Sequence, residues 1–168
     1  MTLSRWGGTA ALACACAFTT PILAATYVTK TSRHGNQQFE AGTDPHFIDL
    51  GESHGTSLTV RTVGATTRLL ILLNAECTVA GLTHVEFLNL EILVDGVAAV
   101  PSGIGHAFCT SDGDGSLDNW VTAASDASVV VGAGTHSVQL RGSLTGAGVA
   151  GNDWWLGDLS LIVIANQQ

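Results

Sequence analysis

The sequence predicts an all-β protein: one antiparallel β-sandwich of jelly-roll type, following a signal peptide. Three observations carry that prediction. Short runs rich in valine, isoleucine, leucine and threonine recur along the chain, separated by glycine, aspartate, asparagine and serine. Several of these runs alternate apolar and polar residues with a period of two, the mark of a strand with one face in a core. No stretch of ten or more residues keeps a convincing helical apolar period without a glycine.

Residues 1–25 differ in kind from the rest. Arg5 gives a positive start, Ala10 to Phe18 is a small-residue apolar run, and Pro21 to Ala25 ends in small residues. That is the composition of a secretory signal peptide cleaved after Ala24 or Ala25, and its apolar run is too short to span a membrane. A lipoprotein acylated at Cys14 or Cys16 would have an unusually short apolar core before the cysteine. Residues 26–168 then form one domain, long enough to bury a real core.

Along that domain the strands are expected at Thr56 to Val63, Thr67 to Asn74, Val85 to Val94, Asn119 to Ala124, Thr135 to Leu144 and Trp155 to Ala165. Weaker signals lie at Thr26 to Thr31 and His46 to Leu50. In the third of these, Leu88, Leu90, Ile92 and Val94 alternate with Asn89 and Glu91, which predicts one wet face. Asp95-Gly96 has the composition of a two-residue type I′ turn, in which both residues take positive φ. Gly132-Ala133-Gly134 is expected to turn the chain before Thr135. The runs "RLLILLN" and "LSLIVI" break alternation because both of their faces are apolar. Either they are central strands covered on both sides, or their outer face packs against another subunit.

The chain carries fourteen carboxylates against six cations, one of which, Arg5, leaves with the signal. Such an acidic surface repels phosphate backbones and argues against nucleic acid as a partner. Cys77 and Cys109 remain after cleavage, in a compartment that a signal peptide makes oxidising, so they are expected to form a disulfide. The protein is therefore expected to be secreted or periplasmic.

In "SDGDGSLDNW", Asp112, Asp114, Ser116 and Asp118 fall at alternate positions, so their oxygens can converge on one hard cation, calcium, as in the first half of an EF-hand loop. The match stops there, because position six is Leu117 and position twelve is Ala123. The competing reading is a glycine-rich turn whose aspartates stay solvated. Asp153, Trp154 and Trp155, with Trp120, offer flat rings beside a carboxylate, the chemistry that stacks on sugars and hydrogen-bonds their hydroxyls. Neighbouring strand residues face opposite sides, so one of Trp154 and Trp155 should be exposed. Gly51 to Gly55 matches GxSxG, yet a strand rather than a helix follows Ser53, which removes the context of a nucleophile elbow. The six histidines show no HxH or HExxH pair. No acid–base or nucleophile constellation emerges, so an enzyme is not the expected class.

Two fragments resemble a known family. Asn36 to Thr43, "NQQFEAGT", resembles the NxxFExGT opening of jelly-roll carbohydrate-binding modules, and Trp155 to Leu161, "WLGDLSL", is similar to their closing DDVSL strand. The resemblance implies a structural calcium held by Glu40 and Asp158, with Gly157 standing where the first aspartate of that closing pair would be. It also implies glycan binding by a noncatalytic domain. The preferred expectation is thus a secreted glycan-binding sandwich using Trp120, Asp153, Trp154 and Trp155. The alternative is a homo-oligomeric structural subunit of a surface assembly or a C1q/TNF-like trimer, in which the apolar outer faces meet copies of themselves.

Overall fold

A computed structural model describes residues 25–40, 44–101, 107–146 and 153–167. Most of the expected signal peptide, His106 and part of the "NQQFEAGT" fragment therefore lie outside the described residues. The strands are β1 (Thr26–Arg33), β2 (Gln37–Glu40), β3 (His46–Phe47), β4 (Leu58–Thr62), β5 (Thr67–Val79) and β6 (Phe87–Val94). They continue with β7 (Val97–Ala98), β8 (Ala107–Thr110), β9 (Val121–Val131), β10 (Gly134–Thr145) and β11 (Asp153–Gln167). All six strong strand signals of the sequence fall on strands. The longest, β5 and β11, outrun their apolar cores because pairing with each other carries both of them on.

Two antiparallel sheets result. Sheet A runs β1-β11-β5-β9, with β2 continuing along the same side of β11 as β1. Sheet B runs β3-β10-β6-β7, with β4 also beside β10 and β8 also beside β6. When the segments sharing one lane are merged, the first lane lies beside the last in sheet A and the second beside the seventh in sheet B. That is jelly-roll order. Asp95 and Gly96 take φ of 52° and 80°, and Val94 pairs with Val97, so the expected two-residue turn is formed. The turn at Gly132 to Gly134 carries the chain from sheet A, where β9 pairs β5, to sheet B, where β10 pairs β4.

The core lies between the sheets. From sheet A it takes Leu69, Ile71 and Leu73 of β5 and Leu161 and Val163 of β11; from sheet B it takes Leu58, Leu88, Ile92, Val138 and Leu140. Cys77 of β5 is bonded to Cys109 of β8, so the disulfide ties sheet A to sheet B. The wet face expected for β6 is not wet. Asn89 and Glu91 are both buried, because neighbours on β10 cover and satisfy them. Arg141 Nε donates to Glu91 Oε2 at 2.7 Å, and Asn89 donates to the Thr145 hydroxyl.

Candidate functional site

The register of β11 decides which tryptophan reaches solvent. Leu159, Leu161, Val163 and Ala165 point inward, and unbroken alternation from them would also bury Trp155 and expose Trp154. A β-bulge lies between Leu156 and Leu159, however, and the extra residue reverses the alternation. Trp154 is consequently in the core, with no exposed surface. It stacks on Phe39 at 4.1 Å, its ring presses on Gly142 of β10, and its Nε1 donates to Asp44 Oδ1 at 3.3 Å. This corrects the expectation that Trp154 offers a ring to a ligand. Asp153, next to it, accepts a hydrogen bond from Gln38 Nε2 at 2.6 Å.

Trp155 faces outward, half-buried, and meets Trp120 edge to face at 6.2 Å. Trp120 stands over Gly157, where an added Cβ would lie 2.9 Å from its ring and 3.1 Å from Glu76 Cβ. The two indoles therefore sit at one end of the outer face of sheet A, beside Glu76.

The segment Ser111 to Trp120 is a chain of local turns. Asp112 Oδ1 accepts from Asp114 N, Asp114 Oδ1 from Ser116 N, and Ser116 Oγ from Asp118 N, at 3.2, 2.7 and 3.3 Å. The two hydrogen bonds from Ser116 hold the Asp114 carboxyl below its usual range. Gly113 and Gly115, at φ of 84° and 77°, pack against the His84 ring and the Leu82 side chain, where a Cβ would stand within 3 Å of each. Glu86 anchors the same corner. It is buried, and its Oε2 accepts from the Thr83 hydroxyl at 2.5 Å, the main cause of its lowered pKa. Glu40 and Asp158, paired by the resemblance, are not brought together. Glu40 lies opposite Asp153, whereas Asp158 accepts from Gly35 N at 2.9 Å, roughly 15 Å further along β11. That bond is the main cause of the lowered Asp158 pKa, and His34 Nδ1 lies 3.6 Å away. Among the described residues no three of His, Cys, Asp and Glu are grouped to hold a metal ion. Ser53 sits in a turn closed by Leu50 N donating to Gly55 O, and β4 follows it.

The outer face of sheet A is different in character. Its registers bring Val28, Ile164, Leu70 and Ser128 into one cross-strand row. The next row is Lys30, Ile162, Leu72 and Asp126, and the one after is Ser32, Ser160, Asn74 and Ala124. "RLLILLN" and "LSLIVI" are thus neighbours, and the residues that broke their alternation form one apolar field facing solvent. Leu70 and Leu72 are each 37% exposed and Val28 61%. A groove of about 370 Å³ runs between β5, β9 and β11 over Leu72, Ile162, Asn74 and Asp126. A second, of about 280 Å³, continues it past Asn74 and Ser160 to Glu76, Asp158 and His34. Two residues of this face that sequence reasoning missed are Lys30 and Asp126, far apart in the chain and joined in one row only by the topology.

No family model matches the chain, and no curated protein matches its sequence. Among the described residues no helix is long and apolar enough to cross a membrane.

Proposed function

We propose that the protein is a noncatalytic, exported subunit that assembles with copies of itself through the outer face of sheet A. One observation carries the reading: the second apolar face of both two-faced strands lies on a single surface that no other described strand covers. Burial of such a field is favourable by about 25 cal/mol per Å² of apolar area, and contiguous apolar surface of this extent marks contact sites. With the flanking polar rows of Arg68 and Glu76 included, the four strands of the face span about 650 Å² of mixed apolar and polar surface, near the roughly 800 Å² that each partner contributes to a standard interface. The disulfide supports export, since such bonds persist in oxidising compartments. Size-exclusion chromatography with light scattering tests the reading. Assembly at micromolar concentration, lost in Leu72→Glu, is the expected outcome; a strict monomer would refute it.

The glycan reading has one observation in its favour. Trp155 and Trp120 stand beside Glu76, and the groove past Asp158, Thr122 and Ser160 offers hydroxyl and carboxylate partners for a sugar. A polysaccharide pull-down that Trp155→Ala abolishes would support an extracellular glycan as partner at this end of the face.

A further inference from the structure

Lys30 is the chain's single lysine, and it lies on β1 at one edge of sheet A. Asp126 lies on β9 at the opposite edge of the same row, with Ile162 and Leu72 between them. Both are exposed, and neither makes an ion pair among the described residues. The other charges of the face, Arg68 on one side and Glu76 and Asp158 on the other, are two rows away, about 13 Å, beyond the screening length of roughly 8 Å at physiological salt. An isolated cation and an isolated anion therefore flank the centre of the apolar field.

We propose that Lys30 of one protomer pairs with Asp126 of its neighbour and fixes the register of the assembly. The inference rests on the self-assembly reading and names the contact that orients it. Opposite charges at opposite edges of one row make the face complementary to itself. A two-fold axis along the strands lays each row, reversed, over its copy and sets Lys30 against Asp126 twice. An axis running along the row would instead oppose Lys30 to Lys30 and Asp126 to Asp126, and like charges so placed disfavour that arrangement. The apolar rows supply attraction without direction; the charge pair selects the orientation.

Within one chain the two side chains are separated by three inter-strand spacings, about 14 Å, which a zero-length carbodiimide cannot span. Treating the parent protein with the carbodiimide and mapping its peptides should therefore give a Lys30–Asp126 isopeptide found only in cross-linked multimers. In sedimentation equilibrium, Lys30→Glu and Asp126→Lys should each weaken assembly by roughly 10-fold or more, and the double exchange should restore most of it. Both positions are exposed, and an unchanged circular dichroism spectrum checks that each variant folds. If the parent assembles but the cross-link is missing and the single variants assemble as the parent does, the pair is wrong and the assembly face stands. Weakening without rescue in the double variant also overturns the pair. A monomeric parent overturns both.

Discussion

The two outer faces of the sandwich are built from the same strand chemistry and finished in opposite ways. On sheet B, Arg141 is paired with Glu91, and Asn89 with Thr145; Ser137 Oγ and N turn to Asp95. Those polar groups find their partners in their own chain. On sheet A the corresponding rows carry Leu70, Leu72, Ile162 and Ile164, and the charges at their ends make no ion pair among the described residues. A face that satisfies itself needs nothing further. The face left apolar at its centre and charged at its edges is the one shaped for contact.

The largest effects expected from breaking this arrangement are on the core beneath it. Trp154→Ala removes a fully buried indole and its bond to Asp44, and a loss of about 3–5 kcal/mol in denaturant unfolding is expected. Trp155→Ala, on the outer side of the same strand, should cost markedly less. Equal losses would show that the bulge does not set the register described. Reduction of Cys77–Cys109, a link across 32 residues, should lower stability by about 3–4 kcal/mol in the chain-entropy model, read as a drop in Tm under reductant.

Next in size is the contrast between the faces. Leu72→Glu is expected to weaken assembly about 100-fold, or ~2.8 kcal/mol, while lowering monomer stability by no more than about 1 kcal/mol. Gln139→Glu, on the outer face of sheet B, should leave the assembly constant within about two-fold; dissociation by the second variant would relocate the interface.

The smallest effect concerns the turn that closes β6 onto β7. His136 Nδ1 lies 2.7 Å from Asp95 Oδ2, which raises the imidazole above 6.5 and lowers the carboxyl below 3.8. The raised histidine adds stability that is complete below about pH 6.5 and lost as pH climbs through its folded value. The lowered aspartate adds stability present above about pH 3.8 and lost as pH falls through its folded value. The pair therefore contributes most between these limits. With Asp95 49% exposed, the contribution stays under about 1 kcal/mol. Asp95→Asn keeps a residue that tolerates positive φ and should flatten the Tm profile between pH 6 and 8. An unchanged slope would place the titration elsewhere.

Sequence periodicity made the strands, the Asp95-Gly96 turn, the disulfide and the two-faced runs legible, because each depends on neighbours a few residues apart or on residue type alone. β2 and β8 were not legible: "QQFE" and "AFCT" are too short to show a period, and they are held by β11 and β6. The fate of Trp154 depended on a bulge at Gly157 and Asp158, which one residue of register hides. The Lys30–Asp126 row depended on topology, since four strands must assemble before its members share a line.

Sedimentation equilibrium of residues 26–168 over about 1–100 µM tests the central claim most directly. A mass that rises to a fixed small multiple of one chain, and returns to a single chain in Leu72→Glu, is the predicted result. A single-chain mass across the whole range would contradict it.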